Sequence, residues 1–567
     1  MKLVKLSSNR STFRAVNFRP RGITLILGDG AHSSNHQEGD SNGVGKTLAL
    51  RLVHHCLGAQ RPPKAVATDA ADWLFYLDVL VGASGHRIER SGDGKVIALD
   101  EREIKLGELR EWLNAHGGFG LFDESPYSFR SLFSRFARQD PADCVDPAAT
   151  SGETPAQSLQ RTLYLLNAND ELARRKEQLK NELDRYRNEL KLFNDTPSIR
   201  DVFTAGHKPA FRLKELETLI SRLQQELKRL VVADDFRDME AQVDSITREL
   251  LELTESTSLK EYELSGIREA KAQKNDITKE ELLSLYKGLE HIFQPNVLRH
   301  FDEVEAFQIA LVTNRAERLA HEESRALTDL DAARSRARLL ESNRSSIVEQ
   351  MNGKRALEEY AAISRNLASL EEERARLESF VQFDQVTKQK VQAIRTEMVE
   401  QDALALQYVQ SEPLSEIDTR YRSLICALYP EATAGIVLSN NDGQNKLRFN
   451  LEIVVQGQAS DGIGNARVLC FDWLLFTAGR PNDLGFLWHD NRLFADLDPK
   501  PRAAWFSELL RSNSLSERQY IASLNSENFT SMTSNLSPEE IAQLRESVAL
   551  TLQGDMDSNR LMGIRFG

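Results

Sequence analysis

The sequence predicts an α/β fold in which the two ends of the chain form one head and a long antiparallel coiled coil joins them. Three observations support this prediction. Strand and turn patterns occupy residues 1–160 and 406–567, heptad-spaced apolar residues fill most of the region between, and a break containing Gly and Pro lies near its middle. Because the arms of an antiparallel coiled coil return to one end, we expect both terminal regions to meet.

The N-terminal region, residues 1–160, has a mixed α/β pattern. A short buried strand is predicted over 22–28, where the sequence reads GITLILG. Two further strands, WLFYLDVLVG and HRIERSGDGKVIAL, follow with a Ser-Gly-Asp-Gly turn, and 140–157 is predicted to be a turn-rich loop. This region therefore resembles half of an α/β domain.

The region between the two ends has the pattern of a coiled coil. Apolar residues recur at steps of four and three, and Glu, Lys and Arg fill the positions between them. The clearest runs begin at Leu172, Leu216 and Tyr360, and Arg374 occupies one core position of the third run. Such spacing keeps one seam facing a partner helix, so we expect long paired helices here.

Two breaks divide the predicted coiled coil. Residues 193–211 carry Pro, Gly and Thr and are predicted to form an elbow, whereas residues 285–307 are predicted to form the apex turn. The outgoing helix is then predicted over 161–284 and the returning helix over 308–405. Each arm would be roughly 150 Å long if it were fully helical, at ~1.5 Å per residue.

The C-terminal region, residues 406–567, returns to an α/β pattern. A hairpin with an Asn-Asn-Asp-Gly turn is predicted over 435–456. The segments LGFLWHD and RQYIASLNS are predicted buried strands, and the helix PRAAWFSELLRSN lies between them. The alternative of two separate domains on a rod is disfavoured, because neither end alone carries a complete set of the motifs described below.

Composition excludes several classes of protein. The net charge of −13 argues against a protein that coats nucleic acid by bulk electrostatics, although it permits a local basic groove. The four cysteines form no CxxC pair, which disfavours a zinc site and fits a reducing compartment. The sequence shows no apolar run long enough to cross a bilayer and no signal-peptide core, so it predicts a cytoplasmic protein without a membrane partner.

A phosphate-binding loop is predicted at DSNGVGKT, residues 40–47. The pattern G-x-x-x-x-G-K-[ST] is matched except that Asp40 replaces the first glycine and an apparent insertion precedes it. A strand before the loop and a helix after it disfavour a chance Gly-rich turn. Lys46 would reach the β- and γ-phosphates of ATP, and the Thr47 hydroxyl would ligate Mg²⁺. The residues assigned to nucleotide binding here are Asn42, Gly43, Val44, Gly45, Lys46 and Thr47.

A second candidate element is ASDGIGNARVLCFDW, from residue 459. Ser460, Gly462 and Gly464 lie just before a predicted amphipathic helix, and the segment resembles the signature loop of ATP-binding-cassette proteins. In that family the signature loop contacts the γ-phosphate held by the opposite protomer, which a serine hydroxyl and a helix N-terminus suit. The alternative is an ordinary N-capped helix.

Four further residues are candidates for the catalytic chemistry. Four apolar residues precede the pair His489–Asp490, as in a Walker B strand, and Asp490 is predicted to ligate Mg²⁺ or polarise water. A cassette ATPase usually has Asp-Glu here, and this chain has either His489-Asp490 or Asp490-Asn491, so the general base stays open. Asn525 is the candidate γ-phosphate sensor, and Gln139 is the candidate glutamine that touches Mg²⁺ or the attacking water.

Three arginines near Gln139, namely Arg130, Arg135 and Arg138, suggest a basic face. The alternative is one solvated side of a helix.

Together these motifs resemble the SMC/Rad50-like ATPases, which have a split P-loop ABC-type head joined by a coiled coil. The segments SNGVGKT, FRSLFSRFAR, SDGIGNARVLCFDW and FLWHDNRLFADLD are similar to a bacterial subfamily with a C-terminal domain of unknown function. That subfamily is similar to the ATPase subunits of ABC-three-component and Lamassu-type anti-phage defence systems. The His-Asp pair and the inserted loop belong to this subfamily.

The resemblance implies a homodimer with ATP sandwiched between two heads, and hydrolysis that is slow because the usual glutamate and histidine are not evident. It also implies binding to double-stranded DNA, often at ends, with a separate effector nuclease and a small accessory subunit. Two alternatives stay open. One is a DNA repair ATPase in the manner of RecN or Rad50, and the other is a non-enzymatic coiled-coil scaffold with a structural ATP site.

Overall fold

The computed structural model divides the chain into two units. The head unit comprises Met1–Asn181 and Thr396–Gly567, and the helical unit comprises Glu182–Arg395. The sequence placed these boundaries at 160/161 and 405/406. The residues that the structure describes are 1–29, 43–121, 125–195, 208–229, 235–272, 301–350 and 355–564.

The head unit combines strands and helices from both ends of the chain. Its described strands are β1 (Lys2–Ser8), β2 (Val16–Asn17), β3 (Gly22–Asp29), β4 (Leu74–Val81), β5 (Ser84–Ser91), β6 (Ile97–Leu99), β7 (Arg102–Glu103), β8 (Ala434–Asn440), β9 (Phe449–Val455), β10 (Phe486–His489), β11 (Gln519–Asn525) and β12 (Val548–Gln553). Its first helices are α1 (Lys46–Cys56), α2 (Lys64–Asp69), α3 (Leu106–His116), α4 (Phe129–Phe133) and α5 (Pro155–Leu165).

The remaining helices follow in chain order, and two of them belong to both units. α6 (Asp170–Asp195) and α10 (Arg355–Gln410) cross the unit boundaries. Between them lie α7 (Pro209–Arg229), α8 (Asp235–Ala272) and α9 (Phe301–Gln350). The C-terminal part of the head contains α11 (Ser415–Leu428), α12 (Asp461–Ala478), α13 (Arg492–Ala495), α14 (Pro499–Arg511), α15 (Ser526–Met532) and α16 (Pro538–Glu546).

A four-stranded parallel sheet joins the two ends of the chain. Its order is β10-β11-β3-β12, so the N-terminal strand β3 lies between two C-terminal strands. The interior residues of β3, β10 and β11 are almost all buried, as is typical of parallel strands covered on both faces. The predicted fold class, an α/β head shared by both ends together with long helices, is therefore confirmed.

The other strands of the head form two antiparallel sheets. One has the order β2-β1-β4-β5-β6-β7, and in β4 buried and partly buried residues alternate, as expected for a sheet with one solvated face. The other pairs β8 with β9, which is the hairpin that the sequence predicted over 435–456. The helix α12 is buried along most of its length and packs into the core of the head.

In the helical unit α8 and α9 form an antiparallel pair. Leu264 of α8 packs against Ala326 and Leu330 of α9, and Lys260 of α8 forms an ion pair of 3.2 Å with Asp329. Residue numbers fall along one helix as they rise along the other, which is the arrangement expected of an antiparallel coiled coil.

The helix α8 also lies beside α10, and here the two run in the same direction. Three contacts, in order along both helices, are Glu240 with Tyr360, Glu255 with Ser379, and Tyr262 with Phe383. This differs from the single outgoing helix that we predicted over 161–284. The chain reverses more often, and the helical unit is a bundle, because heptad spacing marks a buried seam without specifying how many helices share it.

The two predicted breaks fall mostly outside the described residues. The elbow at 193–211 includes the undescribed residues 196–207, and the apex at 285–307 includes undescribed residues up to 300. The last part of the predicted apex, from residue 301, belongs to α9. Within the described ranges, no helix is both long and apolar enough to cross a membrane.

Candidate functional site

The carboxyl ends of three parallel strands lie side by side in the head. Asn525 at the end of β11 is in register with Gly28 of β3, and His489 at the end of β10 is in register with Ala522 of β11. Ligands in open parallel sheets bind at this edge, in the loops that leave the strands. The chain leaves β3 toward the predicted phosphate loop and leaves β10 toward Asp490, so topology brings these two elements to one edge.

The end of the predicted phosphate loop forms the N-terminus of α1. Gly45 is the N-cap with φ 108° and ψ 9°, a left-handed conformation that favours glycine. The side chain of Lys46 is buried and runs back over β3, so that a Cβ atom at Gly28 would collide with its Nζ. Gly43 and Val44 are also described, whereas Asn42 and the inserted segment lie outside the described residues.

Thr47 and Asp490 are in direct contact at this edge. The Thr47 hydroxyl donates a hydrogen bond of 2.9 Å to Asp490 Oδ2. Asp490 is only 7% exposed, and its other oxygen, Oδ1, is buried without a hydrogen-bond partner among the described residues. Burial raises the pKa of Asp490, against the opposing effects of the Thr47 hydroxyl, the Asn491 N–H and the Lys46 charge. A buried carboxylate oxygen without a partner is suited to a cation.

The donor set fits Mg²⁺ held jointly with phosphates. Mg²⁺ usually takes one or two protein oxygens and completes its shell with water and phosphate oxygens. Thr47 and Asp490 supply a hydroxyl and a carboxylate at one point. Within the described ranges, no group of three or more His, Cys, Asp or Glu side chains could hold a metal ion. A metal here would therefore depend on a bound nucleotide for much of its coordination.

The neighbouring candidate, His489, is not part of this cluster. Its side chain is fully buried, its Nδ1 lies 2.8 Å from the Tyr520 hydroxyl, and its Nε2 lies 3.4 Å from Asp472 Oδ2. Burial lowers the pKa of His489, although Asp472 opposes the shift. Successive residues of an extended chain point to opposite faces, so His489 faces the core while Asp490 faces Thr47. This geometry favours a role in supporting the strand over the predicted catalytic role.

Gln139 reaches the same edge by an unexpected route. Ala137 forms a parallel bridge with Trp488 of β10. Gln139 lies two residues after Ala137, and Asp490 lies two residues after Trp488, so the two are at the same level of the sheet. Gln139 is half-buried. Its position beside the end of β10 is compatible with the predicted contact to Mg²⁺ or water.

Asn525 lies at the end of β11 and is linked to a residue that we had not assigned. The Asn525 N–H donates a hydrogen bond of 2.8 Å to Oδ1 of Asn491, and Oδ1 of Asn525 is buried without a partner in the described part of the chain. Asn491 directly follows Asp490, where a cassette ATPase usually has its catalytic glutamate. The Asn491 amide thus ties the ends of β10 and β11 together in place of that carboxylate.

The predicted signature segment lies on the surface. Ser460 is exposed, is the N-cap of α12, and accepts no capping hydrogen bond through its side chain. The Gly464 N–H donates to the Ser460 carbonyl at 2.8 Å, and a Cβ at Gly462 would lie 2.6 Å from the Asp496 carbonyl oxygen. The helix N-terminus and the Ser460 hydroxyl are therefore accessible to a partner. The Ser460 side chain does not cap the helix as the alternative interpretation would require.

Two of the three arginines near Gln139, Arg135 and Arg138, do not contribute to a basic face. Arg135 and Arg138 are fully buried in ion pairs with Glu153 at 2.8 Å and with Asp472 at 2.6 Å. The prediction of a basic face is wrong for these two residues, and so is its alternative of a solvated helix side. An isolated buried charge is unfavourable, and a carboxylate compensates each of them, 18 residues away for Arg135 and 334 residues away for Arg138.

The segment before the C-terminus also belongs to the site, and sequence reasoning missed it. Arg560 Nη1 donates a hydrogen bond of 2.9 Å to the Gly43 carbonyl, and the Leu561 N–H donates one of 3.0 Å to the Val44 carbonyl. These contacts join residues more than 500 positions apart. No local pattern marks Arg560 as a partner of the phosphate loop.

Comparison with known protein families gives a match to the C-terminal part of this sequence. A family model described as "Uncharacterised protein conserved in bacteria (DUF2326)" matches residues 424–566, about a quarter of the chain. No curated protein matches.

Several solved structures align with most of the chain at low sequence identity. The Smc head domain with a coiled coil and joint from Pyrococcus yayanosii is 14% identical, with 96% of this chain and 99% of that chain covered and a TM-score of 0.36. The Smc head domain with an extended coiled coil, bound to the C-terminal domain of ScpA, from Pyrococcus furiosus is 12% identical, with 94% and 92% covered and a TM-score of 0.32. An SmcHead bound to the C-winged helix domain of ScpA is 10% identical, with 94% and 93% covered and a TM-score of 0.31.

Proposed function

We propose that this protein is an SMC/Rad50-like ATPase that binds ATP and Mg²⁺ at the carboxyl edge of the parallel sheet and hydrolyses the nucleotide. The observation that supports this most is the hydrogen bond between Thr47 and Asp490. A hydroxyl at the start of a helix, a buried carboxylate and a buried lysine meet there, beside the end of a glycine-rich loop. That combination suits a triphosphate and its metal ion.

Each residue has a distinct part in the proposed reaction. The N–H groups at the start of α1 and the Lys46 ammonium hold the phosphates, while Thr47 and Asp490 hold Mg²⁺. Bound Mg²⁺ would neutralise charge that develops on the phosphate oxygens. Gln139 and Asn525 flank the position where a water molecule would attack the γ-phosphate. Because Asn491 stands where a glutamate is usual, the chain lacks an evident strong base there, and we expect slow hydrolysis.

The exposed signature segment supports a homodimer with ATP sandwiched between two heads. Within the described part of the chain, the exposed Ser460 hydroxyl makes no capping hydrogen bond at the N-terminus of the long helix α12, where the helix dipole favours an anion. In the proposed dimer, this end of one head meets the nucleotide held by Lys46 of the other. Slow hydrolysis would keep the heads engaged, so that the bound state acts as a latch.

The proposed task is to sense foreign or abnormal double-stranded DNA, including ends, in bacterial anti-phage or anti-plasmid defence. The ATP-engaged dimer would license a separate effector nuclease, together with a small accessory subunit. This part rests on the motif resemblance alone. The second candidate, a RecN- or Rad50-like repair ATPase, uses the same site on DNA breaks and differs in having no dedicated effector.

A third candidate is a coiled-coil scaffold that binds ATP structurally. One observation favours it, namely that Asn491 occupies the usual position of the catalytic glutamate and its amide is used to join two strands. A site of this kind would bind ATP and keep it.

The test is ATP turnover by the purified chain, with and without linear and circular DNA, beside Lys46→Ala and Asp490→Ala. We expect DNA-stimulated phosphate release that both substitutions abolish, and a higher rate with linear DNA if ends are sensed. Turnover that is unchanged in both variants would refute the proposed site. ATP binding without turnover under every condition would favour the scaffold.

A further inference from the structure

The phosphate loop has two sides, and the structure shows what covers its outer side. A loop that points its N–H groups at phosphates turns its carbonyl groups away from them. Buried carbonyls need hydrogen-bond donors, because an unpaired one is unfavourable. The Gly43 carbonyl accepts from Arg560 Nη1 at 2.9 Å, and the Val44 carbonyl accepts from the Leu561 N–H at 3.0 Å. One short segment therefore satisfies two consecutive carbonyls of the loop.

The same segment also fixes the loop by packing. The Leu561 side chain is fully buried, and a Cβ atom at Gly45 would lie 2.5 Å from Leu561 Cβ. Gly45 holds the left-handed conformation that starts α1. The Leu561 side chain thus fills the space directly behind Gly45, the residue that sets the direction in which α1 begins.

Residues 557–563, here termed the C-terminal strap, are themselves held in place. The Arg14 N–H donates a hydrogen bond of 2.8 Å to the Leu561 carbonyl, and Arg14 Nη1 donates one of 3.0 Å to the Asn559 carbonyl. The Arg560 guanidinium also donates to the Gly554 carbonyl at 3.2 Å and forms an ion pair of 3.3 Å with Asp557. The side chain of Arg560 is 14% exposed, so its position is defined by these contacts.

We infer that the C-terminal strap is a working part of the nucleotide site and that Arg560 is its positioning residue. By holding the Gly43 carbonyl outward, Arg560 keeps the loop in the conformation whose N–H groups face inward. Its positive charge also lies directly behind a loop that would receive a triphosphate, where a cation lowers the energy of the bound anion. This inference rests on the proposed ATP binding, and it assigns to the end of the chain a role in that binding.

The experiment compares ATP affinity in four forms of the full-length chain. These are the wild type, Arg560→Ala, Arg560→Lys and the control Arg19→Ala. Arg19 also links the N-terminal and C-terminal parts of the head, through Ser547 at 3.0 Å and Glu546 at 3.2 Å, and neither partner belongs to the loop. The dissociation constant of Mg-ATP would be measured by calorimetry, and the melting temperature of each form by differential scanning fluorimetry.

We expect Arg560→Ala to weaken ATP binding about tenfold, the loss that follows if the loop without this contact adopts the binding conformation about one-tenth of the time. The dissociation constant of Arg560→Lys should lie between those of the wild type and Arg560→Ala, because a lysine keeps the charge without the forked geometry. Arg19→Ala should bind as the wild type does. With Mg-ATP bound, hydrogen exchange at the amides of the described loop residues 43–47 should be faster in Arg560→Ala than in the wild type, while exchange in the rest of the head stays unchanged. A general loss of stability would instead speed exchange throughout the head.

The outcomes separate this inference from the proposed function. If the wild type binds ATP and Arg560→Ala binds it equally well with unchanged loop exchange, the inference is wrong and the proposed function stands. If the wild type itself binds no ATP, the proposed function is wrong, and the inference that depends on it is wrong as well. Should Arg560→Ala fail to fold, Leu561→Ala provides the second variant, with the same expected weakening and the same control.

Discussion

The Thr47 hydroxyl donates a hydrogen bond of 2.9 Å to Asp490 Oδ2 across 443 residues of sequence. The strands that lead to these residues, β3 and β10, are not neighbours in the sheet, because β11 lies between them. The contact therefore passes over the end of β11, where Asn525 lies. The site forms only when the two ends of the chain share one sheet, so its chemistry and the architecture of the head depend on each other.

Asp490→Asn should separate stability from function. Burial raises the pKa of Asp490, so the charged carboxylate is unfavourable in the absence of a cation. Removing the charge should raise the melting temperature without nucleotide by about 1–2 °C, because a small gain in free energy shifts the transition of a large domain only slightly. The same substitution should abolish the stabilisation that the wild type gains from Mg-ATP.

The measurement is a thermal melt with and without Mg-ATP. The control is Asp331→Asn, which neutralises an exposed acid of α9 in the helical unit and should change neither value. A large Mg-ATP shift retained by Asp490→Asn would remove Asp490 from the proposed metal site.

The sequence indicated where the site would lie, but it did not reveal several of the contacts that hold the site residues in place. Buried strands followed by Lys46 and by Asp490 indicated two loops at one sheet edge, because parallel strands place their carboxyl ends together. Arg560 gave no such signal, since the contact that links it to the phosphate loop joins residues 517 positions apart. The role of Asn491 was equally hidden, because joining two strand ends is a property of the folded sheet.

Asp472→Ala should be strongly destabilising. Arg138 Nε and Nη2 donate to the two carboxylate oxygens of Asp472 at 2.6 and 2.7 Å, and both side chains are fully buried. Removing the carboxylate leaves the guanidinium buried without its counter-charge, which costs about 3–5 kcal/mol. Urea unfolding followed by circular dichroism measures this loss.

The matched comparison is Glu416→Ala, which removes one partner of the exposed i,i+4 pair between Glu416 and Arg420. Exposed pairs contribute little, so its unfolding midpoint should equal that of the wild type. If Asp472→Ala proves no more destabilising than Glu416→Ala, the buried pair does not stabilise the link between α12 and the segment that carries Gln139.

Acid should destabilise the head through two histidines of α1. Burial lowers the pKa of His54 well below its usual value and lowers the pKa of His55 to about 3. The unfolded chain binds protons near pH 6.5 whereas the folded chain does not, so stability is full above that pH and is lost as pH falls. Each histidine should contribute a loss of about 1.4 kcal/mol per pH unit below about 6.5.

His55→Gln tests this sign directly. The variant cannot take up a proton at this position, so its unfolding free energy should fall less than that of the wild type between pH 7.5 and 5.5, by about 1.4 kcal/mol. His321→Gln, an exposed position in α9, should follow the wild type. Parallel pH profiles for the wild type and His55→Gln would show that His55 does not titrate differently in the two states.

The helical unit shows where sequence patterns reach their limit. Leu216, Ile220 and Leu377 belong to the heptad-spaced runs that begin at Leu216 and Tyr360, and all three are buried in one cluster. Their spacing could not reveal that α8 lies along α10, because a bundle and a two-stranded coiled coil bury the same heptad positions.

Cysteine cross-linking distinguishes the bundle from a two-stranded coiled coil. Ser379 Oγ donates a hydrogen bond of 3.0 Å to Glu255, so Glu255→Cys and Ser379→Cys should be joined by a short bis-maleimide. A coiled coil turning at 285–307 would instead place residue 255 opposite a residue near 337, roughly 60 Å along the helix from residue 379 at ~1.5 Å per residue. The exposed Cys426 would first be replaced by serine.

Lys260→Cys with Asp329→Cys is the positive control, because these side chains lie 3.2 Å apart on α8 and α9. Both pairs should give a cross-linked band of altered mobility in denaturing gels, at a protein concentration low enough to exclude links between chains. A link at 260/329 without one at 255/379 would contradict the parallel contact between α8 and α10. It would restore the single outgoing helix, since α8 and α9 are antiparallel neighbours in either arrangement.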